Sequence, residues 1–225
     1  MNQKQRELYD KVKNASGELG LQQNQIGDAE ARAIAETLKV NTTLTKLYLD
    51  NNQIGDAGAQ AIAKTLKVNT TLTSLSLGGN QIGDAGARAI AEALKVNTTL
   101  TVLYLDVNQI GDTGAQAMTE ALKVNTTLTE LYLDSNQMTD VGGQAIAEAL
   151  KVNKTLTSLY LSQNFLTNTG ITALNETGNT VCKLEDLDNQ RAPSSADLAQ
   201  IVAEVQQLRS KLAAQAPNWL PKTRS

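Results

Sequence analysis

The sequence predicts an α/β solenoid, a stack of strand-plus-helix units with a parallel sheet on one side and helices on the other, on three observations. Leu19, Leu47, Leu75, Leu103, Leu131 and Leu159 recur every 28 residues, and a fixed period of roughly 20–50 residues marks units that bury a core only by stacking. Each unit, such as LTKLYLDNNQIGDAGAQAIAKTLKVNTT at 44–71, passes from a short alternating segment to one of helical period. The same link then closes each unit, LKVNTTLT at 38–45, 66–73, 94–101 and 122–129, and LKVNKTLT at 150–157.

Residues 1–16 are expected to cap the stack as a half-repeat, with a polar helix over Leu8–Lys13 and Ser16 standing where later units carry Leu. Six units and a seventh strand then fill 17–189. In each strand, alternation turns Leu47 and Leu49 inward and Lys46, Tyr48 and Asp50 to the opposite face. In each helix, Asp56 is expected as the N-cap, Ile62 and Leu66 share the buried face, and Gly58 among alanines permits close approach. Lys67 falls in the last turn, where its charge complements the helix dipole, and Asn69 is expected to reverse the chain in a left-handed conformation.

The sixth helix is expected around Thr169–Thr177, stopped by Gly178, with Leu184 and Leu187 opening the seventh strand and Leu187 28 residues after Leu159. Residues 190–225 read differently. Pro193 and Ser194 open a helix, Asp197 completes a capping box, and Leu198, Ile201, Val205, Leu208 and Leu212 form a narrow seam. That segment is expected to cap the stack, or to self-associate weakly through 195–212, before an extended tail around Trp219.

Leu44, Leu47, Leu49 and Asn52 spell L-x-x-L-x-L-x-x-N, which resembles the leucine-rich-repeat signature. The 28-residue length and the helix GDAGARAIAEAL resemble the ribonuclease-inhibitor-like subfamily, also found in sensor arms of intracellular immune receptors. The resemblance covers roughly 8–189 and implies a horseshoe arc with the sheet on its concave face and the helices on its convex face. It also implies that Asn24, Asn52, Asn80, Asn108, Asn136 and Asn164 form an internal hydrogen-bonded ladder. Inhibitor, adaptor or immune-sensor roles follow from it as expectations, as does a bacterial effector built on the same module.

Composition narrows the chemistry. The 225 residues carry a formal charge of −3, contain no histidine and include one cysteine, Cys182. A Ser-His or Cys-His nucleophile and the common His-containing zinc sites are excluded. No phosphate-cradling Gly-Lys loop occurs, and the charges are scattered with no basic block for nucleic acid. No cofactor is expected. The lone cysteine, a polar start (MNQKQRELYDKVK) and the lack of a long apolar run point to the cytoplasm, reached directly or through specialised secretion into a host. Asn41, Asn69, Asn97, Asn125 and Asn153 each open an N-x-T sequon, but the setting reads them as turn residues.

Between units the helix and Asn positions barely change, whereas the outward strand positions vary. The central column holds Tyr48, Ser76, Tyr104, Tyr132 and Tyr160, beside the acids Asp50, Asp106 and Asp134. Tyrosine joins a large rigid surface to a polar tip and is enriched at interaction hot spots. These eight residues are the expected docking surface for a protein partner, with neither nucleic acid nor membrane as ligand. Two rival readings use the same face, recognition of microbial surface glycans or lipids, and hydrolysis by the acid row.

Overall fold

The computed structural model describes residues 1–192 together with Val202, Gln206, Arg209 and Ser210. Met1–Arg191 form one compact unit, and Ala192–Ser225 group separately. The expected seam Leu198, Ile201, Val205, Leu208 and Leu212 lies outside the described residues.

Strand and helix alternate throughout the first unit. In chain order the elements are α1 (Gln3–Lys13), β1 (Gly17–Gly20), α2 (Asp28–Leu38), β2 (Leu44–Tyr48), α3 (Asp56–Leu66), β3 (Ser74–Ser76), α4 (Asp84–Leu94), β4 (Val102–Tyr104), α5 (Asp112–Leu122), β5 (Glu130–Tyr132), α6 (Asp140–Val152), β6 (Ser158–Tyr160), α7 (Asn168–Asn175) and β7 (Lys183–Glu185). The strands form one parallel sheet in sequence order. Leu47, Leu75, Leu103, Leu131 and Leu159 sit side by side in register. With Leu49, Ile54, Ile62, Leu66 and Leu72 and their equivalents they make one continuous core. Each such side chain contributes about 1.5–3 kcal/mol on burial.

Three rows of polar side chains stitch the units together. In the first, Asn52 Oδ1 accepts the Asn24 and Ile26 N–H groups at 2.9 and 3.0 Å, while its Nδ2 donates to the Leu21 and Leu49 carbonyls, both at 2.9 Å. Asn80, Asn108, Asn136 and Asn164 repeat the pattern. Asn24 differs, because no strand precedes β1. It is exposed, and its side chain reaches only its own Gln22 carbonyl. At the other end Gln190 takes the position, donating to the Leu161 and Leu187 carbonyls and accepting the Asn164 N–H.

The second row corrects the expected helix cap. The N-cap of α3 is Gly55, and Asp56 is the first helical residue. The Asp56 carboxylate instead accepts the N–H groups of Gly83 and Gly86 in the next unit, both at 2.8 Å. Asp28, Asp84, Asp112 and Asp140 do the same one unit on. This explains Gly58: a Cβ there would stand 2.8 Å from Asp28 Oδ1. Helix α2 has no preceding aspartate, and at the matching position Glu30 caps its own helix by accepting the Gly27 N–H.

The third row keeps the sequon asparagines at the turn that follows each helix but corrects their conformation. Asn41, Asn69, Asn97, Asn125 and Asn153 are buried, and none is in the left-handed region. Asn97 Nδ2 donates to the Leu66 carbonyl at 2.7 Å, and its Oδ1 accepts the Thr99 and Leu100 N–H groups. Left-handed backbone recurs instead three residues after each of β1 to β6, at Gln23, Asn51, Gly79, Val107, Ser135 and Gln163, with φ between 52° and 64°.

The last unit is compressed. Leu184, not Leu187, pairs with Leu159, and Leu187 takes the place of Leu161, three residues before the ladder amide. Asp186, at φ 47°, absorbs the change of spacing. Helix α1 starts earlier than expected, capped by Asn2, whose Oδ1 accepts the Gln5 N–H.

Candidate functional site

Opposite the helices the sheet presents one side chain of each alternating pair, and the repeat sets these side by side at the strand spacing of ~4.8 Å. Tyr104, Tyr132 and Tyr160 occupy one column on β4, β5 and β6. Their rings stack in sequence, with centroids 4.2 Å apart in both pairs and planes within 20° and 9° of parallel. Each is half-buried by its neighbours. Burial raises the phenol pKa values of Tyr104 and Tyr132, and the Tyr132 hydroxyl donates to Glu130 Oε2 at 2.9 Å. Both phenols are therefore neutral donors.

Tyr48 stands in the same column on β2 but is separated from Tyr104 by β3, where Ser76 replaces the ring. Ser76 is only 3% exposed, and its hydroxyl donates to Asp50 Oδ1. It is thus a support for Asp50 rather than a contact surface.

The acids differ in how they are held. Asp134 Oδ1 accepts the Ser162 N–H and hydroxyl at 2.9 and 2.8 Å. Asp106 leans over β3, since a Cβ on Gly78 would lie 2.7 Å from its Oδ1. Among the described residues no side chain donates to it. Burial, reinforced by the charges of Asp50 and Asp134, raises the Asp106 carboxyl above the ordinary range. Burial also raises Asp134, against the hydrogen bonds from Ser162. The two lysines of this face are engaged elsewhere, Lys46 with Glu18 and Lys183 with Glu185. No cluster of metal-ligating side chains occurs among the described residues, and no described helix is long and apolar enough to cross a membrane.

Two family models match the sequence. Residues 59–145 match the TMOD/LMOD leucine-rich domain, and 40–63 and 152–174 match the leucine-rich repeat. The chain is a leucine-rich-repeat protein. No curated protein matches it. Among solved structures this leucine-rich-repeat chain is similar to leiomodin-1 actin-binding site 2, with a TM-score of 0.52 and 24% identity over 91% of this chain and 96% of that one. It is also similar to the tropomodulin C-terminal domain of Caenorhabditis elegans, with a TM-score of 0.52 and 12% identity over 90% and 98%. At these identities the likeness is one of fold.

The structure brings Tyr104, Tyr132 and Tyr160 together in one stack and sets Tyr48 apart across β3, while Asp50 bonds Ser76 on β3 and its charge acts on Asp106 together with that of Asp134. Tyr48, Asp50 and Ser76 nevertheless belong to the same face. The sequence reading did not recognise Gly78, whose missing side chain makes room for the Asp106 carboxylate. The single glycine in a column that otherwise reads Asp50, Asp106, Asp134 and Ser162 was the available signal.

Proposed function

We propose that this leucine-rich-repeat protein is a non-enzymatic interaction module that docks a protein partner on the concave sheet. The stack of Tyr104, Tyr132 and Tyr160 carries the reading. Three rigid rings already ordered against one another lose little entropy on binding, and each joins apolar area to a polar hydroxyl tip. The 28-residue repeat supports placement in the ribonuclease-inhibitor-like subfamily, with an inhibitor, adaptor or sensor role. The buried sequon asparagines support a cytosolic setting, because a glycan on Asn97 Nδ2 would displace its bond to Leu66.

The test is capture of partners by the full chain and by two double variants, with each captured protein measured again in purified form. Tyr104→Ala with Tyr132→Ala is expected to weaken binding by about 2 kcal/mol or more. Gln116→Ala with Glu120→Ala, on helix α5, is expected to leave it unchanged. Purified actin forms a separate arm, because the similar leiomodin-1 structure is an actin-binding site. Loss of binding in the helix variant alone would place the docking surface on the convex side and overturn the reading.

A further inference from the structure

We propose that in the free protein the tyrosine-bearing sheet face is occupied by the chain's own residues 216–225, a tethered segment that a partner must displace. The inference rests on the concave-face reading and adds its regulation.

Over β4 to β7 the face is aromatic and acidic. The Tyr104, Tyr132 and Tyr160 rings form one partly exposed stack. Beside it stand Glu130, which accepts the Tyr132 hydroxyl, and Asp134, which feels the charge of Asp186. Lys183, the cation of β7, is already paired with Glu185. The segment APNWLPKTRS is the chemical complement. Trp219 is the one tryptophan of the chain, Lys222 and Arg224 follow it, and no acid occurs after Glu204. An indole stacks on tyrosine rings, and cations beside it offset charges that otherwise face only one another. Pro217 and Pro221 bracket Trp219, and a backbone fixed by proline loses little entropy on an aromatic-lined surface.

The chain leaves the repeats beside this face. Arg191 donates its N–H to the Asn164 carbonyl and its guanidinium to the Asn136 carbonyl, and it stacks over Phe165 at 4.5 Å. Asn136 and Asn164 follow β5 and β6, the strands that carry Tyr132 and Tyr160. Even with Ser194–Leu212 helical, Ala192 to Trp219 can span about 40 Å or more, at 1.5 Å per helical and ~3.3 Å per extended residue. The seven strands together cross only about 30 Å. Tethering sets an effective concentration of about a millimolar, so a free-peptide Kd of about 0.1 mM would leave the segment docked about ten times out of eleven.

Trp219 reports the docking directly, because it is the only tryptophan. The full chain is compared with three double variants by Trp219 emission and acrylamide quenching at low salt, over a wide range of protein concentration. The variants are Lys222→Glu with Arg224→Glu, Tyr104→Ala with Tyr132→Ala, and the control Gln116→Ala with Glu120→Ala on α5. In the parent Trp219 is expected to be shielded at every concentration, with a quenching constant about threefold or more below that of the tail and tyrosine variants. The control is expected to match the parent. A partner captured as above is expected to bind the tail variant up to about tenfold more tightly than the parent, the factor by which the docked state withholds the face. Far-ultraviolet circular dichroism verifies that the tyrosine variant is folded, and the tail variant alters no residue of the repeats.

Equal quenching in the parent and the tail variant would overturn the tethered occupant, as would a Trp219 that stays shielded in the tyrosine variant. Shielding that appears only as concentration rises would also overturn it and assign the segment to a second copy. In each case a partner that still needs Tyr104 and Tyr132 leaves the concave-face reading standing. A partner indifferent to that pair removes the reading and, with it, the regulatory role.

Discussion

Asp56 Oδ1 accepts the N–H of Gly86, 30 residues downstream, at 2.8 Å. The carboxylate sits at the start of its own helix yet caps the next, so each unit completes the N-terminus of its successor. A helix N-terminus leaves several N–H groups unpaired and carries partial positive charge, which an aspartate satisfies on both counts. At the end of the row burial opposes ionisation of Asp140, but hydrogen bonds from Thr167 and Gly170 prevail and hold its carboxyl below the ordinary range.

Gly86→Ala tests this interlock. Helix propensity alone favours alanine over glycine by about 1 kcal/mol. Here the new Cβ would meet Asp56 Oδ1 at 2.8 Å, Ile82 Cγ2 at 2.7 Å and Ala59 Cβ at 3.0 Å, so a net loss of about 1–3 kcal/mol is expected. Asp56→Ala alone should cost about 1–2 kcal/mol through the lost cap. Because removing the carboxylate also removes one of the clashes, the double variant should lose less than the sum of the two, measured by urea unfolding. Strict additivity would separate the aspartate from the glycine.

The signature asparagines allow one substitution to be compared in two settings. Asn108→Leu leaves the Ile82 N–H without its acceptor inside the unit and takes one of two amide donors from each of the Leu77 and Leu105 carbonyls, which keep Asn80 and Asn136, at about 1–3 kcal/mol for the buried N–H left unpaired. Asn24→Leu touches an exposed side chain bonded only within its own turn and should change stability by about 0.5 kcal/mol or less. Similar unfolding midpoints for the two variants would contradict the difference in their surroundings.

The α/β solenoid was legible because its determinants lie within one unit. The period of Leu47, Leu75 and Leu103 places the strands, and the spacing of Ile62 and Leu66 places the helices. Of what crosses from one unit to the next, only the asparagine ladder was legible, and that through the family resemblance. Asp56 next to a helix start reads as that helix's cap, and nothing in the linear sequence says that its carboxylate turns to Gly83. Asn69 followed by Thr reads as a turn for the same reason, although its Nδ2 reaches back to Leu38. Leu187 was misplaced because the 28-residue count runs straight through a shortened final unit. On the sheet face alternation located the tyrosines and acids, but Ser76 as a support for Asp50 depends on contacts between strands that no single repeat reveals.

Burial of the sequons leads to an expectation for protein made in a secretory host. Asn41, Asn69, Asn97 and Asn125 are each at most 7% exposed, so folded material should carry no glycan there, whereas any chain glycosylated there should remain unfolded. Glycopeptide mapping of the folded fraction checks this, since the exposed Asn14 and Asn175 also open sequons, and a folded species bearing hexose on Asn97 would contradict it. Thr99→Val removes one sequon and an oxygen that is buried without a partner. It should be neutral or stabilising by up to about 1 kcal/mol, whereas Asn97→Ala should be strongly destabilising.

Asp106 supplies a pH dependence whose sign follows from its surroundings. Its folded-state carboxyl is raised, by burial first and then by Asp50 and Asp134, from an ordinary value of 3.8. Between that value and the raised one, the folded protein holds more protons than the unfolded chain, so its contribution to stability falls as pH rises. Above the raised value the penalty is fully present. Asp106→Asn removes it, and the variant is expected to be more stable than the parent at about pH 7, with the gap closing by about pH 3. An identical stability gap at both pH values would mean that burial of the charge is not what the parent protein tolerates at this position.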